Sequence, residues 1–411
     1  MTDTRPADPP ADLTTSAHRR TGLITLAALL SAGWATNHFA ALVPVLEDFA
    51  HIPRPGLDAA FGLYALGLLP SLLLGGGVSD RVGRRPVVLA GLALACAGNL
   101  VMLIWPTLVG VVIGRLVVGL GVGMVASAGT AWAADQDAAK GAARAGVVLT
   151  GGFAIGPVVT ALLTSALPGR AGIVAAYAIP VLLTAGCFVL IVLRTGTETE
   201  DVAVYDDEVR GAPFVVGRRI GPALIAALPM GLWVFACVIS AVMVFTGRIG
   251  DRFSGPLLIA VACILALGTG LLTQIGTRRW GHWRALGVIG AGLAALGFAI
   301  GAAAGGRMSP VTFALTAVIL GCAYGLCLGQ GLQDVERLAP RDARGLVTGL
   351  FYVVSYSGFA LPFVLNTYED PIGPSAPLVV LAALALLTAV ARLVDVVRSG
   401  QAATASTDRS A

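Results

Sequence analysis

The segment GGVSDRVGRRP at residues 76–86 joins two long apolar runs and guides the interpretation of the whole sequence. It holds three arginines and one aspartate, whereas the flanking runs are almost free of charge. Gly76 lets a neighbouring helix approach closely, and Gly83 permits a tight turn. Asp80 stands where it can pair with an arginine or with the amino end of a helix. The segment therefore predicts a short charged turn between two membrane-spanning helices.

The composition excludes an ordinary soluble domain. Of the 411 residues, 56% are hydrophobic and 12% are charged, whereas soluble domains carry about 25% charged residues. Apolar runs long enough to cross a bilayer, which takes about 20 residues, recur from Leu23 to Val397. The polar segments between them are shorter than the roughly 50 residues of an independent domain. Any binding site must therefore lie within the helices.

The apolar runs and their breakers predict twelve spans. They cover residues 21–46, 57–78, 87–105, 107–133, 145–167, 171–193, 220–245, 255–275, 285–304, 310–332, 345–366 and 377–397. We predict an all-α membrane protein with two six-helix bundles, at residues 21–193 and 220–397. A cytoplasmic N-terminal tail (1–20), a cytoplasmic acidic linker (194–219) and a cytoplasmic C-terminal tail (398–411) complete the predicted organisation.

The basic residues predict the orientation, because loops rich in Lys and Arg stay on the cytoplasmic side. With both ends inside, Arg115 lies within a span and most of the other 26 basic residues lie in inner segments. The predicted outer loops carry five: Arg54, Arg170, Arg248, Arg252 and Arg307. The bias predicts a multi-pass protein of the cell inner membrane. The segment at residues 247–252 resembles the charged turn in sequence, but the predicted orientation places it outside the cell. We call it the decoy segment and assign it no latch role, because no cytoplasmic partner can reach it.

Several function classes have no support in the sequence. The arginines are spread over short loops, so nucleic acid is not an expected partner. The six cysteines fall in apolar segments without CxxC spacing and are interpreted as packing residues. No HExxH, GxSxG or phosphate-loop motif occurs, so we predict neither an enzyme nor an ATP-driven pump. We expect no cofactor, no metal site and a monomer.

The pattern GxxxDRxGRR at residues 76–85 resembles the turn between spans 2 and 3 of the major facilitator superfamily, and the resemblance extends over most of the chain. It implies that Asp80 faces the start of span 11, near Arg344 and Gly345, in the outward-facing state. It also implies that the motif arginines pair with carboxylates at the end of span 4. The conformational latch implied in this way consists of Gly76, Asp80, Arg81, Gly83, Arg84, Arg85, Asp135 and Asp137.

The second half carries a decayed copy of this turn, QIGTRRWGHWR at residues 274–284, with Arg278 in the position of Asp80. Duplicated halves are typical of transporters whose substrate site lies between them near the bilayer midplane. The loss of the acid predicts an asymmetric latch.

Spans 4 and 5 carry two further resemblances. GRLVVGLGVG at residues 114–123 resembles the superfamily's second motif, with Val118 where glutamine often stands. An arginine inside a span is costly, so Arg115 is expected to point inward and to be functional. GFAIGPVVTA at residues 152–161 resembles the GxxxGPxxGG signature of drug-antiporter exporters, although its final glycine pair is missing. Glycine spacing and a bending proline predict a gate in span 5. The gate residues are Gly152, Gly156 and Pro157.

Proton coupling usually needs a titratable group inside the membrane. We identify no carboxylate at a helix centre, which leaves His38 as the coupling candidate, or alternatively as a neutral contact to substrate. Asn37 is predicted to be a plain substrate ligand. The predicted coupling and substrate cavity comprises Asn37, His38, Arg115, Trp233, Tyr324, Gln330, Tyr352 and Tyr356, with interhelical packing as the alternative for each.

The sequence thus predicts a transporter that works by alternating access within a lipid bilayer. The leading hypothesis is a proton-coupled exporter of drug-like or metabolite molecules, with a pocket suited to apolar, neutral or weakly cationic compounds. The alternative is a facilitator or proton symporter that imports a nutrient such as a sugar. The span 5 motif favours export.

Overall fold

A computed structural model describes residues 11–137, 140–194, 220–250, 255–278, 285–340 and 343–408. Most of the predicted acidic linker and the first ten residues of the predicted N-terminal tail lie outside these ranges. So do residues 279–284 of the decayed second turn, the last two residues of the decoy segment (251–252) and residues 253–254.

The described residues form twelve helical spans that are long and apolar enough to cross a membrane, so the predicted fold class is confirmed. Their elements are α1 (Ala11–Asn37) with α2 (Phe39–Ala50), α3 (Arg54–Val82), α4 (Arg84–Ile104), α5 (Leu108–Gln136), α6 (Gly141–Ala166), α7 (Arg170–Arg194), α8 (Gly221–Ile239) with a π-helical turn (Ser240–Val244), α9 (Pro256–Arg278), α10 (Ala285–Ala304), α11 (Pro310–Leu338), α12 (Arg344–Tyr356) with a 3-10 turn (Ser357–Ala360) and α13 (Leu361–Ile372), and α14 (Ala376–Asp408).

Several helices differ from the prediction in their bounds or continuity, among them spans 1, 2 and 12. Span 1 is interrupted at His38, where a turn separates α1 from α2. Span 2 continues four residues beyond its predicted end, so Asp80 and Arg81 belong to the last turn of α3. The chain reverses only at Gly83, whose φ of 93° lies in the region that glycine tolerates best. The last helix extends to Asp408, so most of the predicted C-terminal tail is helical.

Close backbone contacts between glycines join two spans of the first half. A Cβ on Gly98 would meet the carbonyl oxygen of Gly114 at 2.6 Å, and one on Gly91 would meet that of Gly121 at the same distance. These pairs join spans 3 and 4. Small residues at helix crossings allow such approach, and packing of this kind drives helix association where no hydrophobic effect separates helix from lipid.

The outer surface of the bundle is apolar, as a lipid environment requires. Leu182, Leu193, Ile225 and Val311, on three different elements, have between 69% and 79% of their surface exposed. Large exposed apolar side chains on most spans are costly in water but neutral against acyl chains. The chain is therefore a multi-pass membrane protein.

The two halves meet along two seams. Span 2 packs against span 11 in one seam, and span 5 packs against span 8 in the other. We call the side of the bundle that carries residues 51–53, between spans 1 and 2, the distal side. The opposite side, which carries the turn at Gly83, is the proximal side. The prediction places the distal side outside the cell.

Candidate functional site

Aromatic side chains from both halves meet in the seam between spans 2 and 11. Phe61 of span 2 stacks on Phe359 of span 11, with ring centroids 5.2 Å apart. Phe235 of span 7 lies 4.6 Å from Tyr356 and 6.3 Å from Tyr324. We call these five residues, together with Tyr64, the seam cluster. Aromatic pairs at such distances add attraction beyond their buried area, so the cluster holds the halves together near the middle of the bundle.

A cavity of about 590 Å³ lies beside the seam cluster, between spans 2 and 11. Its walls are mainly apolar side chains such as Leu63, Leu69 and Phe363, and Tyr356 and Ser357 provide hydroxyl groups. The volume is within the range of small-molecule sites. The cavity therefore offers space for an apolar compound with one or two hydrogen-bonding groups.

Arg115 is fully buried within the first half. Its guanidinium carbon lies 4.8, 5.4 and 4.5 Å from the ring centroids of Phe39, Phe61 and Tyr64, respectively. Nη1 donates to the carbonyl of Thr36 at 2.7 Å, two residues before the interruption of span 1. Among the described residues no carboxylate forms a salt bridge with it, so aromatic faces and carbonyls stabilise its charge. Arg115 thus connects the interrupted helix to the seam cluster through Phe61 and Tyr64.

His38 occupies the interruption itself and is fully buried. Its Nδ1 lies 3.2 Å from the carbonyl oxygen of Trp34, and its ring meets Tyr177 edge to face at 5.6 Å between centroids. His38 Nε2 and the Tyr177 hydroxyl have no hydrogen-bond partner among the described residues. Buried polar atoms normally have partners, and unpaired ones in a polar site are where bound water is expected. Asn37, in contrast, is engaged, because its amide donates to the carbonyl of Phe153 at 2.8 Å.

The structure places only some of the predicted cavity residues at the seam. Tyr324 and Tyr356 belong to the seam cluster, and Tyr352 lies next to it on span 11. Trp233 points into the second half, where Nε1 donates to Thr388 at 3.1 Å. Gln330 likewise donates to Asp334 at 2.9 Å within the second half. In this conformation both side chains take part in packing within the second half, which is the alternative that the sequence left open for each of them.

The proximal turn forms a compact charge network. Arg84 donates to Asp135 at the end of span 4 at 3.0 Å and also to Asp80. The side chain of Asp80 is 61% exposed. Among the described residues, its salt-bridge partner is Arg84, which belongs to the same half. Arg344 is engaged elsewhere, since it donates to the carbonyl of Glu336 at 2.7 Å. The contact that the resemblance implies for the outward-facing state is therefore not made in this conformation.

Gly76 does not have the close helix neighbour predicted for it, because a Cβ there would meet nothing within 4 Å in this conformation. Three other predicted latch residues lie around the network. Arg85 approaches the carbonyl of Val192 on span 6 at 3.5 Å, and Arg81 is exposed. Asp137 accepts from Arg144 at 2.9 Å, so its partner is at the start of span 5 in place of a motif arginine. Asp137 stands just beyond the end of α5, where Arg144 is its near neighbour along the chain.

Span 5 contacts the interrupted span 1 through the predicted gate glycines. A Cβ on Gly152 would meet the backbone nitrogen of Trp34 at 2.8 Å, and one on Gly156 would meet the carbonyl oxygen of Trp34 at 3.2 Å. Pro157 follows directly and leaves one carbonyl of the helix without its usual donor. The gate motif therefore fixes span 5 against span 1 beside His38.

Two buried carboxylates were missed by the search for charges at helix centres. Asp58 lies one turn into span 2 and is completely buried, and Asp334 lies near the proximal end of span 10 and is 7% exposed. Arg54 donates to Asp58 at 3.2 Å, and Arg392 donates to Asp334 at 2.6 Å. Each lies toward a helix end, whereas only carboxylates at helix centres were considered from the sequence. The i,i+4 spacing of Arg54 and Asp58 was the one available signal for a pair.

Among the described residues, no group of three or more His, Cys, Asp or Glu side chains could hold a metal ion. The six cysteines are free thiols, and four of them are buried.

A family model described as Major Facilitator Superfamily matches residues 24–362. Among known proteins, the inner membrane transport protein YajR of Escherichia coli is 30% identical over 131 residues, which are 29% of this chain and 28% of that protein. The probable inositol transporter 2 of Arabidopsis thaliana is 30% identical over 117 residues, which are 28% of this chain and 20% of that protein. The matched segments thus span less than a third of either relative.

Solved structures resemble the fold over almost its whole length. The inward-open xylose transporter XylE from E. coli superposes with a TM-score of 0.72 at 14% identity, covering 92% of this chain and 96% of that chain. A peptide transporter POT superposes with a TM-score of 0.74 at 14% identity, covering 93% and 95%. At such low identity these likenesses concern the fold alone.

Proposed function

The chain belongs to the Major Facilitator Superfamily, and we propose that it exports small, largely apolar molecules by alternating access in exchange for protons. The observation that carries the proposal is the contact of the span 5 gate with the interrupted span 1. Gly152 and Gly156 bring the two backbones together beside His38. Because the two helices pack without intervening side chains, a movement of one should be transmitted to the other.

The seam cluster and its cavity support an apolar substrate. Most of the lining is aliphatic or aromatic, and hydroxyl groups at Tyr356 and Ser357 can orient a polar group of the substrate. Arg115 is sealed behind Phe61 and Tyr64 in this conformation, so its charge does not face the cavity. A neutral or weakly cationic compound fits this environment better than an anion.

We assign proton coupling to His38 and alternating access to the latch around Asp80. His38 combines complete burial with an unpaired Nε2, which leaves one ring nitrogen available to a proton carried by water. Asp80 is exposed and bound within its own half, so it is free to contact span 11 when the proximal side closes. In this assignment the protein lies in the inner membrane, both termini are cytoplasmic, and the chain acts as a monomer.

A second candidate function is the import of a nutrient such as a sugar, by facilitated diffusion or with protons. It is favoured by the names of two relatives, the probable inositol transporter 2 and the monosaccharide-sensing protein 2 of Arabidopsis thaliana. In both candidates the halves alternate in the same way, and only direction and substrate differ.

The two candidates are separated by uptake into inverted membrane vesicles of a panel of lipophilic dyes, antibiotics and sugars, with and without an inside-acid pH gradient. Export in exchange for protons predicts accumulation of lipophilic compounds that collapses when a protonophore is added. Vesicles from cells without the protein serve as the control. Sugar exchange that does not depend on the gradient, with no accumulation of lipophilic compounds, would overturn the export proposal and support the import candidate.

A further inference from the structure

The distal side of the bundle holds a polar cluster that bridges the two halves. It consists of Arg54 and Asp58 on span 2, Asn366 on span 11 and the carbonyl of Met243 on span 7. The amide of Asn366 donates to Asp58 Oδ2 at 2.5 Å, and Arg54 Nη2 donates to the Met243 carbonyl at 3.3 Å. Both hydrogen bonds connect the first half to the second.

Asp58 is the centre of this cluster. Its side chain is 0% exposed, and Arg54 Nε donates to its second oxygen, Oδ1, at 3.2 Å. An isolated buried carboxylate is strongly disfavoured, so both oxygens need donors. One donor comes from its own helix and the other from the opposite half. Separation of the halves at this point would therefore remove half of the hydrogen bonding to a buried charge.

The carbonyl of Met243 is available to Arg54 because of the local helix geometry. Residues 240–244 form a π-helical turn, and the next backbone donor, Phe245 N–H, bonds back to Ser240. π-helical turns disturb the regular pairing of the helix and are frequent at functional sites. A cation at the carboxyl end of a helix is also favoured by the helix dipole. Arg54 thus joins Asp58 to the carboxyl end of this helix, whose last carbonyls have no donor within the helix.

The proximal side lacks an equivalent bridge among the described residues, because Asp80 pairs with Arg84 of its own half. In this conformation the charged contacts between spans 2 and 11 are therefore concentrated at the distal side.

We propose that Asp58, with its partners Arg54 and Asn366, is the positioning group that locks the distal side closed and that must release Asn366 for the distal side to open. The inference requires neither a particular substrate nor a direction of transport. It therefore does not depend on the exporter assignment.

The test measures the width of the distal side directly. Ser165 at the end of span 5 and Arg307 before span 10 are both exposed and belong to different halves. Spin labels on Ser165→Cys and Arg307→Cys, in a background with the six native cysteines replaced, report the distribution of distances between the halves in lipid nanodiscs. The reference protein carries only these labels and the cysteine replacements. If Asp58 and its partners lock the distal side closed, short distances should predominate in the reference protein.

Asn366→Ala removes the cross-half donor and leaves the Arg54–Asp58 pair within span 2 intact. We expect the ratio of long to short distances to rise about tenfold, which corresponds to ~1.4 kcal/mol and is near the lower end for a hydrogen bond to a charged group. Asn366→Asp should shift the ratio further, because it places a second carboxylate against Asp58. Asn366 is only half-buried, so both variants are expected to fold.

The matched control is Asn99→Ala. Asn99 carries the same amide group and is fully buried, but it donates to the carbonyl of Ala95 in its own helix at 2.9 Å and makes no contact between the halves. Its distance distribution should match that of the reference protein. Unchanged distances in both Asn366 variants, or an equal shift in Asn99→Ala, would overturn the assignment of the lock.

Discussion

The buried ion pair between Asp334 of span 10 and Arg392 of span 12 should be one of the strongest polar contributions to the stability of the second half. Arg392 Nη2 donates to Asp334 Oδ2 at 2.6 Å, and Gln330 donates to Oδ1 at 2.9 Å. The two charged side chains are only 9% and 10% exposed. Asp334→Leu would leave the guanidinium buried without its acceptor, and the loss of one partner of a buried pair costs about 3–5 kcal/mol.

A double-mutant cycle tests this value. The free energy of unfolding is measured by titration with sodium dodecyl sulfate in mixed micelles for Asp334→Leu, for Arg392→Met and for the double variant. We expect each single variant to lose about 3–5 kcal/mol and the double variant to lose less than either, because two apolar side chains of similar volume can replace a buried pair at little cost. Asp395→Asn, an exposed carboxylate on the same helix, is the control and should change stability by about 0.5 kcal/mol or less.

The cycle can also refute the reasoning. If each single variant lost less than about 1 kcal/mol, the value typical of exposed ion pairs, the pair would not behave as a buried one. The same conclusion would follow if the loss in the double variant equalled the sum of the two single losses, because the two charges would then not interact.

Three further outcomes are expected. Asp80→Asn should abolish transport while membrane insertion stays normal, because the carboxylate is 61% exposed and contributes little to packing; normal transport in a vesicle assay would contradict the latch. His38→Ala should weaken the dependence of transport on the pH gradient more than the substrate affinity, and unchanged coupling in flux measurements would exclude His38 from that role. Gly152→Val should reduce transport and thermal stability because its side chain would collide with the backbone of span 1, whereas Gly146→Val on the same helix, with open space around it, should have little effect; equal effects would refute the close-contact argument.

The fold was accessible from the sequence because the bilayer imposes a length and a polarity on every span. The apolar runs predicted twelve spans, and the structure has twelve within its described residues. Helix ends were less accurate, as at α3, which includes Asp80 where the apolar run had already ended. Charged residues can remain helical at the membrane surface, because water and headgroups satisfy them there.

Only part of the candidate site could be predicted from the sequence. The resemblance of the charged turn implied that its arginines pair with carboxylates at the end of span 4, and the structure has Arg84 bound to Asp135. Trp233 and Gln330 were candidates for a cavity, although both turn into the second half. A residue type and a span do not define the direction of a side chain around the helix, because neighbouring residues differ by about 100°.

The sequence by itself predicted twelve membrane spans, which the described residues confirm, two similar halves, and a charged turn after span 2. These properties depend on local composition and on the cost of placing polar groups in lipid, which each segment meets on its own. The tertiary structure alone decided that Asp58 meets Asn366, that Arg115 is enclosed by aromatic rings, and that Asp334 meets Arg392. These contacts join residues that are distant in the sequence, and they exist only once the packing of the helices brings those residues within hydrogen-bonding distance.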